Sequence, residues 1–172
     1  MYGHIGTLDP DATGVLPILI GKATKISKYL MEHDKTYIAT LKLGEKTDTG
    51  DITGNIIEKK DVKSYTKNEI ESVLNSFIGE SIQTPSIYSA IKVNGKKLYE
   101  YARSGQDVEI PKRKITIYNI KLIDLDDSKR EIIFEVKCSK GTYIRVLCEN
   151  IAEGLKTVRM YERINKNRSR FF

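Results

Sequence analysis

From Lys35 to Leu43 apolar and polar residues alternate, with Tyr37, Ala39, Leu41 and Leu43 on one side, the period-two pattern of a strand half-buried against a core. The alternation returns over Glu131–Cys138, where Ile132, Phe134, Val136 and Cys138 share a face, and over Ile115–Leu125. The polar Asp126-Asp127-Ser128 between those two stretches predicts that they pair as neighbours. Other segments repeat at helical spacing. Thr66-Lys67-Asn68-Glu69 is a capping box, followed by Ile70, Val73, Leu74 and Phe77, with Gly79 read as the helix stop. Ile144, Leu147, Ile151 and Leu155 form the apolar stripe of a helix that follows an extended passage after Gly141. Leu16–His33, with Leu19, Ala23, Ile26 and Leu30 on one side, also reads as a helix.

The intervening segments are shorter. Gly44–Gly54 is polar and turn-prone, Gly54–Lys59 a short strand, Ser86–Val93 extended, and Asn94-Gly95 a tight turn. Leu98–Arg103 is a short helix stopped by Gly105, and the tail from Thr157 is mixed, with room for a short strand. Runs of strands separated by single helices predict an α+β fold, a mostly antiparallel mixed sheet flanked by helices. A chain of 172 residues carries one domain with a core, so 1–172 is read as a single domain. Thr84–Pro111, polar, basic and turn-rich, is read as an insertion within it.

Composition narrows the class. Hydrophobic residues are 40% and charged residues 30%, proportions of a globular protein that needs no membrane. No apolar run approaches the roughly 20 residues that span a bilayer. Met1-Tyr2-Gly3-His4 has no basic-then-apolar leader, so the expected location is the cytoplasm. Cys138 and Cys148 form no CxxC pair and only two histidines are present, so two reduced structural thiols and no metal are expected. The formal charge of +6 says little alone, but its distribution says more. Lys92, Lys96, Lys97 and Arg103 interleave with Tyr88, Tyr99 and Tyr101; Lys112-Arg113-Lys114 follows; Arg159, Arg163, Lys166, Arg168 and Arg170 fill the tail. Cations that neutralise phosphate beside rings that stack on bases suit a nucleic-acid surface, although a merely solvated basic face fits the same residues.

Two segments invite chemistry. Gly3–Gly14 holds three glycines, and Pro10 stiffens the chain just after Asp9, an arrangement that fixes one carboxylate in space. Taken alone, an Asp-Pro pair is more often a plain turn. In Lys140-Gly141-Thr142-Tyr143-Ile144-Arg145, an extended backbone places Tyr143 and Arg145 on one side, a ring and a guanidinium fit to hold a planar base near a carboxylate. A strand end with a surface arginine is the plainer alternative. Tyr37 shares its face with apolar residues and reads by default as a core tyrosine. The acidic spacing in Glu45–Asp51 does not match a calcium loop. No phosphate-binding loop, dinucleotide fingerprint or nucleophile elbow is present, so any chemistry rests on Asp, Tyr and Arg without a cofactor.

Five ordered motifs, GHIGTLDPDATGVLP, DKTYIATLKLG, EKTDTGDITG, PSIYSAIKVNGKKLYEYARSG and CSKGTYIRVLCENIAE, together resemble the bacterial tRNA pseudouridine-55 synthases of the TruB family. The resemblance implies a pseudouridine synthase-like catalytic domain that isomerises a uridine in the T loop of tRNA, as a monomer, with no cofactor, metal or membrane partner. It implies that Asp9 attacks the flipped nucleotide and that Arg145 pairs with Asp9. Tyr37 would stack on the base and help remove the C5 proton. Tyr143 would line the base pocket, and His4 would contact the RNA near the vacated base position. By count, Tyr161 falls where the family has an aliphatic pocket residue. The insertion 84–111 would grip the T stem-loop, with Lys92, Lys96, Lys97 and Arg103 as phosphate contacts.

The chain departs from the family pattern in four places. An upstream Lys-x-x-Gly-x-Thr-Ser segment and a C-terminal RNA-binding extension are expected of the family and are not within these residues. The ending TVRMYERINKNRSRFF differs from the usual one, and Ile5 replaces a commoner threonine. The competing expectations are a truncated module that binds or helps fold the T arm without turnover, and an unrelated aspartate-dependent hydrolase, which leaves Tyr37, Tyr143 and Arg145 without a role.

Overall fold

A computed structural model describes residues 1–5, 13–30, 34–48 and 54–169, with the backbone alone for residues 13, 14, 28 and 159–169. In chain order the elements are β1 (Tyr2–His4), β2 (Thr13–Gly14), β3 (Ile18–Ile20), a 3-10 stretch (Gly21–Ile26), α1 (Ser27–Leu30), β4 (Lys35–Leu43), β5 (Glu45–Thr47), β6 (Ile56–Lys59), α2 (Lys67–Asn75), β7 (Gly79–Gln83), β8 (Lys92–Val93), β9 (Lys96–Lys97), α3 (Leu98–Ser104), β10 (Arg113–Asp126), β11 (Glu131–Cys138), α4 (Ile144–Gly154) and β12 (Arg159–Ser169). The main sheet has six strands in the order β2-β12-β4-β11-β10-β7. Every pairing in it is antiparallel except β2 with β12, so the expected mixed, mostly antiparallel sheet forms.

The alternation read from the sequence sets which face is buried. Ala39, Leu41 and Leu43 on β4 meet Ile132, Phe134, Val136 and Cys138 on β11, and Ile115, Ile117, Ile120 and Leu122 continue the face on β10. Two helices cover that face. α2 packs on β10 through Ile70 and Leu74, and α4 lies over β12 and β4 with Ile144, Leu147, Cys148 and Ile151 inward. Phe134, Leu41, Ile70 and Ile151 are all but closed to solvent, each contributing about 1.5–3 kcal/mol of burial. The capping box on α2 forms as read: Thr66 Oγ1 accepts from the Glu69 N–H at 3.2 Å, and Glu69 Oε2 accepts from the Thr66 N–H at 2.8 Å.

Several expectations fail for identifiable reasons. The helix read over Leu16–His33 is instead a strand, a 3-10 stretch and one turn of helix. Ile18–Ile20 finds backbone partners in Tyr2–His4, and Gly21 takes a φ of 61°, which a right-handed helix cannot pass through. Ile26, placed on the apolar stripe, is 48% exposed. Gly44–Gly54 contains a strand, β5, that pairs antiparallel with β6. Gly79 does not stop α2, which ends at Asn75; with φ at 116° it redirects the chain into β7, a strand that was not anticipated. Within Ser86–Val93 only Lys92–Val93 is strand, and residues 87–88 turn. The tail is one strand of eleven residues. Its sequence shows no apolar–polar alternation; β12 is a strand because the outer edge of β4 offers nine residues of backbone to pair with.

Two consequences of this packing are measurable. Gly154 sits where α4 meets α2, and a Cβ there would stand 2.9 Å from Val73 Cγ1. The overpacking term of about 1–3 kcal/mol should exceed the roughly 1 kcal/mol of helix propensity that alanine returns. Gly154→Ala should therefore lower the urea midpoint, and the same substitution made on Val73→Ala should raise it. Burial pushes the Cys138 thiol up to about 11, so it stays protonated through neutral pH. Cys138 should resist alkylation by iodoacetamide at pH 8 in the folded protein and react once urea unfolds it; labelling of the folded chain at this position would contradict the structure.

Candidate active site

Strand register places the sequence-predicted residues. Gly14 on β2 pairs with Lys166 on β12, Lys166 pairs with Tyr37 on β4, and Tyr37 pairs with Val136 on β11. One row thus crosses four strands, and at about 4.8 Å per strand the Gly14 backbone stands roughly 10 Å from that of Tyr37. On the other side of the glycine-rich segment, the buried Ile5 donates its N–H to the Pro17 carbonyl at 3.0 Å. Asp9 lies outside the described residues, between these two anchored ends. His4 is exposed at the end of β1, opposite Ile18 in a separate two-stranded sheet. Tyr37 is half-buried and packs on the margin of the core, so the core reading of this tyrosine and a site role are compatible.

β11 delivers the second group. Cys138, its last residue, pairs with Lys35, two positions from Tyr37 on the neighbouring strand. The chain then turns over Ser139–Thr142, and β10 braces the turn. The Ser139 N–H donates to the Thr116 carbonyl at 2.9 Å, and Ser139 Oγ accepts from the Thr116 N–H at 2.9 Å. The Thr142 hydroxyl donates to the Ser139 carbonyl at 2.9 Å. Gly141 has a φ of 80°, a left-handed conformation that an L side chain would strain.

The extended passage expected after Gly141 ends at once. Tyr143 is the N-cap of α4, with φ −93° and ψ 106°, and Arg145 already belongs to the first helical turn. The two therefore do not share a strand face. They share the N-terminal end of a helix that packs over β4 and β12, and both are half-buried there. That first turn holds no acidic residue, and Tyr143 makes no side-chain cap. Positive helix dipole and guanidinium thus add at one place, a setting that favours a carboxylate partner.

Tyr161 falls on β12 opposite Leu41, four residues along β4 from Tyr37, a separation of roughly 13 Å at strand rise. The register therefore does not bring its backbone to the Tyr37 row.

The insertion carries its cations differently from a simple charged surface. Asn94 and Gly95, with φ of 51° and 80°, close the β8–β9 hairpin, and α3 ends at Gly105 with φ of 61°. Lys96 Nζ donates to Gln106 Oε1 at 2.9 Å and lies 4.7 Å from the Tyr101 ring centre. Lys97 Nζ donates to the Tyr99 hydroxyl at 3.1 Å, which raises its pKa, and Arg103 lies 5.4 Å from the same ring. Lys92 projects from β8 into solvent. Among the described residues there is no His, Cys, Asp and Glu group that could hold a metal, and no helix long and apolar enough to cross a membrane.

Sequence reading missed Gln83. It is 5% exposed, and its side chain holds the Tyr143 backbone at two points. A glutamine at a strand end has no chemical reputation, and the only available hint was its position directly before the insertion.

Comparison with known proteins agrees on one family. The model of the TruB family pseudouridylate synthase (N terminal domain) matches residues 1–144. A tRNA pseudouridine synthase B of Caldanaerobacter subterraneus subsp. tengcongensis is 52% identical over 154 residues, covering 90% of this chain and 54% of the relative. That of Alkaliphilus oremlandii is 54% identical over 153 residues, 89% of this chain and 50% of the relative. The chain thus spans about half the length of these curated relatives. Among solved structures, a Cbf5-Nop10-Gar1 complex matches with a TM-score of 0.72 at 27% identity, over 98% of this chain and 40% of that one. An H/ACA RNP bound to a substrate RNA containing 2'-deoxyuridine matches with a TM-score of 0.68 at 25% identity, over 98% and 38%.

Proposed function

This chain belongs to the TruB family of pseudouridylate synthases, and from that premise we propose that it converts a uridine of the tRNA T loop, position 55, to pseudouridine, with Asp9 as the nucleophile. The observation that carries the reading is the row Gly14–Lys166–Tyr37. Asp9 is five positions from Gly14, a reach of at most roughly 17 Å, so the Asp9 carboxylate can meet a base stacked on Tyr37. α4 packs over β4 and β12, and Arg145 and Tyr143 stand at its N-terminal end.

The chemistry follows from those groups. The uridine leaves its stack, and contact with the Tyr37 ring offsets part of the cost. Arg145 and the helix dipole keep the Asp9 carboxylate ionised. The carboxylate attacks either C6 of the base or C1′ of the ribose, and the N1–C1′ bond breaks. The base turns within a pocket lined by Tyr143, C5 bonds to C1′, and the bond to the Asp9 carboxylate breaks, which frees the aspartate. C5 then loses its proton, with Tyr37 assisting, while N1 ends protonated. Substrate and product are isomers, so the sequence of steps consumes no oxidant, reductant or energy source. The insertion 84–111 supplies the grip on the T stem-loop. Lys92 meets phosphate directly, and Lys96, Lys97 and Arg103 do so from positions braced by Tyr99 and Tyr101. His4 contacts RNA at the far side of the glycine-rich segment.

Tritium released from C5-labelled uridine in a T stem-loop transcript measures the reaction. Wild type should release it and Asp9→Asn should not; equal release by the two would sink the assignment of the nucleophile. Lys92→Ala should weaken transcript binding and reduce the slope of log K against log salt by about 1, the value of one lost phosphate contact. An unchanged slope would remove Lys92 from the interface.

A further inference from the structure

Gln83 ends β7, and its cross-strand partner is Arg113, the first residue of β10. Between these two paired positions lies the whole insertion, which therefore leaves the sheet and returns to it through a closed root. The side chains at that root reach back toward the Ser139–Tyr143 turn. Gln83 Oε1 accepts from the Tyr143 N–H at 2.8 Å, and Gln83 Nε2 donates to the Tyr143 carbonyl at 3.1 Å. Arg113 lies beside Gly141, with its guanidinium 3.8 Å from where a Cβ would stand.

The clasp is specific in orientation. Reversing the amide would set donor against donor and acceptor against acceptor, so one rotamer satisfies the pair. Gln83 reads the Tyr143 backbone as a neighbouring strand would, at a site where no strand continues. The same Tyr143 carbonyl also accepts from the Leu147 N–H at 3.0 Å, the first hydrogen bond of α4. Holding Tyr143 therefore fixes where the helix starts and so where Arg145, two residues on, is carried. Its burial shields the clasp from water, which strengthens each bond.

We propose that Gln83 is a positioning residue that locks Tyr143 and the first turn of α4 to the root of the insertion, so that RNA seated on the insertion and the groups around Asp9 share one rigid frame. The proposal rests on the functional reading above. Its effect falls on the chemical step rather than on capture of the RNA, because Gln83 is buried and the phosphate-facing cations lie beyond it. A displacement of the reacting groups by about 1 Å can cost on the order of 100-fold in rate.

The test uses Gln83→Met, which keeps the length of the side chain and removes both hydrogen bonds, and Gln83→Glu, which keeps the acceptor for the Tyr143 N–H and sets a carboxylate against the Tyr143 carbonyl. Single-turnover tritium release and T stem-loop affinity are measured on variants whose circular dichroism matches wild type. Hydrogen exchange is followed at the Tyr143 amide. Gln83→Met should lose roughly 10- to 100-fold in rate with affinity held within about threefold, and should lose protection at Tyr143 while the middle of α4 keeps its own. Gln83→Glu should fall between Gln83→Met and wild type in rate. A folded Gln83→Met as fast as wild type, a loss of affinity equal to the loss of rate, or unchanged exchange at Tyr143 would each overturn the role given to Gln83. If Gln83→Met does not fold, Gln83→Glu decides alone, and a wild-type rate in it would overturn the role. A wild type that releases no tritium would overturn the functional reading and with it the catalytic purpose of the clasp, an outcome distinct from an active wild type matched by its variants.

Discussion

The backbone of β4 is hydrogen-bonded along both edges, to β11 on one side and β12 on the other, from Lys35 to Leu43. Nearly everything else in the molecule is placed by that double pairing. Ala39 and Leu41 are fully buried because strands flank them and α4 lies above them. A row through Tyr37 joins strands whose sequence positions run from Gly14 to Lys166, so residues far apart in the chain become neighbours at a spacing set by the ladder rather than by side-chain preference. Backbone pairing alone would leave several such registers close in energy. The alternation on β4 and β11 removes that degeneracy, since a slip by one residue would turn Ala39, Leu41, Phe134 and Val136 out of the core.

Much of this was legible in the sequence, and the legible part has a common cause. β4, β10, β11, α2 and α4 were read correctly because each buries one face, and burial writes a period into the chain. The segments that failed are those whose conformation is decided by backbone partners. β12 carries arginines, lysines and asparagines without alternation, yet it is a strand of eleven residues because β4 has an edge to fill. Ile18–Ile20 has helical spacing with its neighbours, but the strand Tyr2–His4 and the left-handed Gly21 override it. β7 is short and mostly exposed, so no periodicity announces it.

The candidate site divides along the same line. Asp9, Tyr37, Tyr143 and Arg145 were singled out because their residue types advertise chemistry and because five motifs stand in a fixed order. How Tyr143 and Arg145 are presented was misread. An extended strand and a helix start differ by one residue's backbone angles at the N-cap, and Gly141-Thr142-Tyr143 contains no Ser, Thr, Asp or Asn at the cap itself to announce the helix. The missing side-chain cap has a counterpart in the structure. The end of α4 is organised from outside the helix, by Gln83, and a contact made across sixty residues leaves no local trace.

The insertion shows why charge counting alone would misjudge a basic surface. Lys96 and Lys97 of β9 and Arg103 of α3 lie against Tyr101 and Tyr99 of α3, so each of these cations already has an internal partner. A flexible lysine that meets phosphate loses its rotamer freedom on binding; one that already lies against a ring has lost part of it on folding. Pre-bracing lowers the entropy to be lost when an anion is bound, and it ties the cations into an insertion whose two roots pair with each other at Gln83 and Arg113. A basic surface built in this way is fixed in position as well as in charge.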